Sequence, residues 1–256
     1  MREPLKKPFF PIIRLFGKRK IYLNFSDEPI LIGGCARSGT TLLQSILSAH
    51  PKIFTFPDEI AAFSRWELND FGKKVPIRVD KLYREALRNK IPEYVTRWCS
   101  KAPSNIRYIS EIMQYFNNRV KFIHIIRDPR DVVLSKHPKK EDRYWVSPER
   151  WLKDVRRGLA YKDHPNVLTI KYEDLIEQPD KTIDKICWFI DENECEKLHN
   201  WREHTKIKRS QALFGKIKPL HKKSIGKWKE NADEAQIDQL MNDEEIRQTM
   251  KDCGYL

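Results

Sequence analysis

Pro29-Ile30-Leu31-Ile32-Gly33-Gly34-Cys35-Ala36-Arg37-Ser38-Gly39-Thr40-Thr41-Leu42-Leu43 is the stretch that decides how this chain folds. It opens as a short apolar run with strand character and breaks at two glycines. It resumes as Leu42, Leu43, Ile46 and Leu47, the i, i+1, i+4, i+5 spacing of a buried helix face. Between the two lies a tight loop of small residues with one arginine. A strand, a glycine loop and a helix in succession aim backbone N–H groups and a helix N-terminus at one point, which suits a phosphate or a sulfate.

The loop is close to a nucleotide-triphosphate loop and departs from it at one place. Gly34 and Gly39 stand five apart, as in G-x-x-x-x-G-K-[ST], but Thr40 occupies the lysine position. The usual cation for a β/γ-phosphate is therefore missing, and Arg37 supplies positive charge from inside the loop. A glycine-rich turn without a ligand is the plainer reading. Arg37-Ser38-Gly39-Thr40-Thr41 nevertheless packs an unusual number of anion donors into five residues.

Working outward, 256 residues fit one large α/β domain able to bury a core. Residues 1–28 read as a basic N-terminal arm and residues 29–256 as the domain. Five scattered cysteines suggest neither a disulfide framework nor a zinc site. With no secretory signal and no apolar span of membrane length, the expectation is a soluble protein of a reducing compartment, most simply the cytoplasm. The net charge of +13 is local: residues 1–20 carry seven Lys/Arg against one acid, and residues 202–229 carry ten against one. That points to anionic ligands at defined places. No nucleic-acid-binding signature is present, so nucleic acid is not an expected partner. The arm, with Phe9, Phe10, Phe16 and Tyr22, is expected to pack on the domain, with a membrane-surface contact as the second reading.

Along the domain, His50-Pro51 ends the first helix, and Ile53-Phe54-Thr55-Phe56 reads as a second strand, expected beside the first. It delivers Asp58 and Glu59, which either serve as a base facing the anion loop or cap a following helix. Residues 70–98 read as helical and amphipathic. Lys101 follows, pinned ahead of a proline turn. Val120 to Ile126 is a continuous apolar strand of the kind buried in a parallel sheet, and His124 within it reads as a core histidine. The strand runs into Arg127-Asp128-Pro129-Arg130-Asp131, with Ser135 about two helical turns beyond. Strand ends of this kind hold ligands in open α/β sheets.

Arg37-Ser38-Gly39-Thr40-Thr41-Leu42-Leu43, followed by Arg127-Asp128-Pro129-Arg130-Asp131 and Ser135, resembles the sulfotransferases that use 3′-phosphoadenosine 5′-phosphosulfate (PAPS). Tyr172-Glu173-Asp174-Leu175, the stretch from Lys223 to Lys229, and Cys253-Gly254-Tyr255 extend the resemblance to the C-terminus. The arginine in the first loop matches the tyrosyl-protein, bacterial and carbohydrate branches. The resemblance implies a three-layer, P-loop-like α/β fold with a central, mainly parallel sheet flanked by helices. It implies that Arg37, Ser38, Gly39, Thr40 and Thr41 cradle the 5′-phosphosulfate, with Arg37 also acting on the reacting group. Arg127 and Ser135, eight positions apart, would hold the 3′-phosphate. Tyr172, Ser224, Gly226, Lys227, Trp228 and Lys229 would close over the nucleotide, and Lys222 and Lys223 would add charge beside them.

For the chemistry, the resemblance implies Lys101 on the bridging oxygen and a carboxylate base. Spacing after His50-Pro51 selects Asp58 for that role, and the family's preference for glutamate keeps Glu59 as its alternative. It implies sulfuryl transfer to a hydroxyl or amine without a metal, releasing adenosine 3′,5′-bisphosphate (PAP). The basic, aromatic surface favours an anionic saccharide or acidic peptide as acceptor. A P-loop kinase or NTPase and a non-catalytic binder of anionic polymers are the rival readings.

Overall fold

A computed structural model of the chain describes residues 10–137, 140–193, 195–207, 209–210, 215–216, 224–230 and 233–256. Five strands form one sheet: β1 (Ile30–Gly34), β2 (Ile53–Thr55), β3 (Arg97–Lys101), β4 (Lys121–Ile126) and β5 (Val167–Lys171). Their order is β2-β3-β1-β4-β5, and every neighbouring pair is parallel. The chain leaves β1 toward β2 on one side, returns through β3, and crosses to β4 on the other. The C-terminal end of β1 is therefore a topological switch point, where open α/β sheets leave a crevice.

The alternation of side chains along the strands builds two layers. Ile30 and Ile32 of β1, with Ile123 and Ile125 of β4, pack on Leu43, Ile46 and Leu47 of α2 (Thr40–Leu47) and on Ile183 and Ile186 of the helix Pro179–Phe189. Leu31 and Phe122 point the other way, toward α3 (Asp80–Arg88) and α4 (Ile109–Tyr115). A third cluster lies beyond the crevice. There Trp151 and Val155 of α6 (Pro148–Leu159) meet Val132 of α5 (Pro129–Val133), Leu240 of the helix Glu234–Asn242 and Met250 of the helix Glu244–Asp252. Gly33 is required where β1 passes β4: a Cβ there would stand 2.6 Å from Phe122 Cζ and 2.9 Å from the Ile106 amide nitrogen.

The structure corrects three expectations. β2 does not lie beside β1, because β3 is inserted between them. Residues 70–98 are not one helical region: a hairpin strand at Lys74–Pro76 precedes α3, and Arg97 and Trp98 open β3. Strand β3 ends on buried Ser100 and Lys101, so it lacks the apolar run that marks an interior strand. Cys187 and Cys195 form a disulfide between the helix Pro179–Phe189 and the start of the helix Glu196–His199, leaving Cys35, Cys99 and Cys253 free and buried. The arm, expected to pack on the domain, contains a helix, α1 (Phe10–Asn24), packed on α3 through Gly17, where a Cβ would lie 2.4 Å from that of Tyr83. Among the described residues no helix is long and apolar enough to cross a membrane.

Candidate active site

The loop from Cys35 to Gly39 turns β1 into α2 with two residues in the left-handed region, Arg37 at φ 71° and Gly39 at φ 96°. Arg37 holds that conformation with a side chain, a local cost of the kind found at ligand clamps. Gly39 could not: its Cβ would strike the Tyr172 ring at 2.4 Å. Helix α2 starts without a side-chain cap, and buried Thr40 and Thr41 form its first turn. Ser38 Oγ and Arg37 Nε are buried and have no hydrogen-bond partner. Unsatisfied buried donors cost about 1–3 kcal/mol each. An oxyanion seated in the loop would satisfy them together with the α2 amides.

Arg127 reaches the same place from the end of β4. Its Nη1 donates to the Arg37 carbonyl at 3.1 Å, its Nη2 donates to the Ser224 carbonyl, and its plane lies over the Tyr172 ring at 4.5 Å. Asp131 stands 3.4 Å away as a counter-ion. Arg127 Nε is buried and unpartnered, like that of Arg37. Burial, and then the Arg127 charge, pull the Arg37 pKa below the usual arginine value. Two guanidiniums sharing a partly buried site favour an anion between them. The two-turn helix expected between Arg127 and Ser135 does not form. Helix α5 ends at Val133, and the Ser135 hydroxyl donates to the Asp131 carbonyl at 2.9 Å.

Residues 224–229 are brought onto this arginine. Tyr172 Oη and Ser224 Oγ are 2.7 Å apart. Gly226, at φ 72°, lets the backbone turn, and the amides of Gly226 and Trp228 donate to Asp131 at 2.9 and 3.1 Å. Trp228 already has a partner in the Arg130 guanidinium, 4.2 Å from its ring, with Lys229 Nζ at 5.7 Å. Lys227 and Lys229 are exposed. Lys222 and Lys223 lie outside the described residues. Sequence reasoning did not see that Asp131 joins Arg127 to the late segment. The signal available was its position four residues after Arg127, one helical turn on.

Across β1, Lys101 closes β3 and is 1% exposed, and its Nζ donates to Glu59 Oε2 at 2.9 Å. Glu59 is exposed, whereas Asp58 is half-buried and does not pair with Lys101. No helix follows them before α3, so they cap none. Behind the arginines, Glu173 accepts from the Asp128 amide at 2.9 Å and from Tyr255 Oη at 3.0 Å. Burial is the main cause that raises its pKa. Arg130 donates to the Tyr255 carbonyl at 3.0 Å, which ties the chain's end to the site.

The geometry can be set beside known proteins. The chain is 30% identical over 188 residues to a putative protein-tyrosine sulfotransferase of Caenorhabditis briggsae, covering 66% of each chain. To Sulfotransferase 2A1 of Mus musculus it is 27% identical over 251 residues, 83% of this chain and 81% of that one. The chain thus spans about two thirds of the nematode relative's length. Its fold is similar to the sulfotransferase domain of the Synechococcus PCC 7002 olefin synthase, with TM-score 0.65 and 20% identity over 91% of this chain and 96% of that one. A sequence profile described as the Sulfotransferase family matches residues 29–196, and the chain belongs to that family.

Proposed function

We propose that the chain transfers a sulfuryl group from PAPS to a hydroxyl acceptor. The observation that carries this reading is the pair of neighbouring arginines, Arg37 and Arg127, with unpartnered buried Nε donors beside the uncapped start of α2. Bound there, PAPS would supply an activated sulfuryl group whose leaving group is a phosphate. Arg37, Ser38, Gly39, Thr40 and Thr41 would hold the phosphosulfate end. Arg127, with Ser135, would hold the 3′-phosphate, and Tyr172, Ser224, Gly226, Lys227, Trp228 and Lys229 would enclose the nucleotide. Arg127 would exchange its present carbonyl partners for the phosphate, a stronger acceptor because it is charged.

Glu59 is the preferred base and Asp58 the alternative, on the strength of the 2.9 Å contact between Glu59 and Lys101. The Glu59 carboxylate would take the acceptor's proton. Lys101 would hold positive charge where negative charge grows on the departing oxygen. Such transfer relies on positioning and fixed charge, and this chain's residues supply both. The name of the nematode relative and the basic surface favour a tyrosine hydroxyl among acidic residues as acceptor.

The test is a transfer assay with PAPS, without magnesium, offering an acidic tyrosine peptide, an anionic saccharide and a steroid alcohol. Sulfated product and PAP in equal amounts support the reading. Binding of ATP that requires magnesium, with no turnover of PAPS, would favour a kinase instead.

A further inference from the structure

Helix α1 has one face on the domain and another that no other described residue covers. Gly17 is buried and Ile13 and Ile21 are half-buried on the face toward α3. The opposite face presents Ile12, Leu15, Phe16, Tyr22 and Leu23, all between 53% and 82% exposed. These are five of the eleven large apolar side chains exposed among the described residues, gathered on a single helix. Their spacing, 12, 15, 16, 22 and 23, closes into a stripe at 3.6 residues per turn. Soluble chains scatter such residues singly, and a contiguous patch marks an interaction site.

The remaining exposed positions of α1 settle what the stripe faces. From Pro11 onward they are Arg14, Lys18 and Arg19, besides the proline itself. The outward surface is thus apolar or cationic at every position, with no neutral polar or acidic residue. Residues 4–26 hold six Lys/Arg and no Asp or Glu. A second copy of the same helix would set Arg14, Lys18 and Arg19 against their own like charges, which disfavours self-association. An apolar stripe flanked on one side by Arg14 and Lys18, with Arg19 inside it, is instead complementary to an anionic bilayer surface, because a long arginine stem can carry its charge back to the headgroups. Apolar side chains enter the acyl boundary there, while the cations meet the headgroups.

We propose that α1 is an interfacial helix that seats the domain on an anionic lipid surface through Ile12, Leu15, Phe16, Tyr22 and Leu23, with Arg14, Lys18 and Arg19 at the headgroups. Packing on the domain and membrane contact are then two faces of one helix, so docking needs no rearrangement of α1. The helix lies on the surface and does not cross it; its 15 residues are too few to span a bilayer.

Vesicle flotation of the full chain tests this, with vesicles of phosphatidylcholine alone and of phosphatidylcholine with phosphatidylserine. The chain should float with the anionic vesicles, weakly or not at all with the neutral ones, and less as salt rises. A triple variant, Arg14→Gln, Lys18→Gln and Arg19→Gln, should lower partitioning by about a hundredfold if each cation acts at the surface. The single variant Tyr22→Gln, at the most exposed position, should weaken flotation without moving the thermal midpoint. The proposal is overturned if the chain floats with neither vesicle. Equal binding to both vesicle types, or a dimer in solution that Tyr22→Gln dissociates, would also overturn it.

Discussion

On the β1–β4 side of the sheet edge, two arginines and a helix start converge with donors left unpaired. On the β2–β3 side, one buried lysine is matched to one carboxylate. The first side carries buried cationic and hydroxyl donors that an anion would satisfy. The second is already neutral, and its pair reaches solvent only through Glu59, whose side chain is 40% exposed. Nucleotide affinity should therefore reside on one side and turnover on the other. The two should respond separately to substitution.

The largest effect should come from the carboxylates. Glu59→Gln should lower turnover by about 10²–10⁴, the usual contribution of a positioned base, while Asp58→Asn stays near the parent. The reverse order in steady-state assays would reassign the base. Lys101→Ala should cost about 10²–10³ in turnover yet leave PAP affinity within a few-fold by calorimetry. Parallel losses would mean that the two sides are one site.

Arg127→Ala probes the opposite side. It should weaken PAP by roughly 10- to 100-fold, as for a charge-assisted hydrogen bond, and adenosine 5′-monophosphate much less. Equal losses would remove the 3′-phosphate from Arg127. Asp131→Asn keeps one acceptor for the Gly226 and Trp228 amides and deletes the charge opposite Arg127. A loss of PAP affinity up to about tenfold is expected, and protease cleavage within residues 224–230 should rise as those contacts weaken.

The smallest effect concerns the platform beneath both sides. His124 is fully buried in β4, and burial pulls its pKa down from 6.5 to about 3. The folded state keeps it neutral while the unfolded chain binds a proton below about pH 6.5, so stability present at pH 7 is lost as the pH falls toward 3. Between pH 7 and 5 this amounts to about 2 kcal/mol. Denaturant titrations at the two pH values should show a smaller difference for His124→Gln.

The same contrast explains what could be read before the fold was seen. The anion side is built from contiguous runs: Gly34 to Thr41 on one strand end and Arg127 to Ser135 on another. Glycine spacing and apolar strands announce such motifs locally. The family and the three-layer sheet were legible for the same reason. The Lys101–Glu59 pair is separated by 42 residues, and its strand ends in polar side chains that satisfy no periodic pattern. Only the insertion of β3 between β2 and β1 brings the two together. The bonds of Asp131 to residues 95 and 97 positions onward leave no local trace. The Cys187–Cys195 bond was hidden because an odd, scattered set of cysteines gives no pairing rule.

Calorimetric titration with PAP in the presence of a metal chelator, alongside ATP and adenosine 5′-monophosphate, tests the central claim most directly. The account predicts tight binding of PAP, with adenosine 5′-monophosphate at least tenfold weaker, on the order of one charge-assisted hydrogen bond. Equal affinity for the two, or binding of ATP alone, would contradict it.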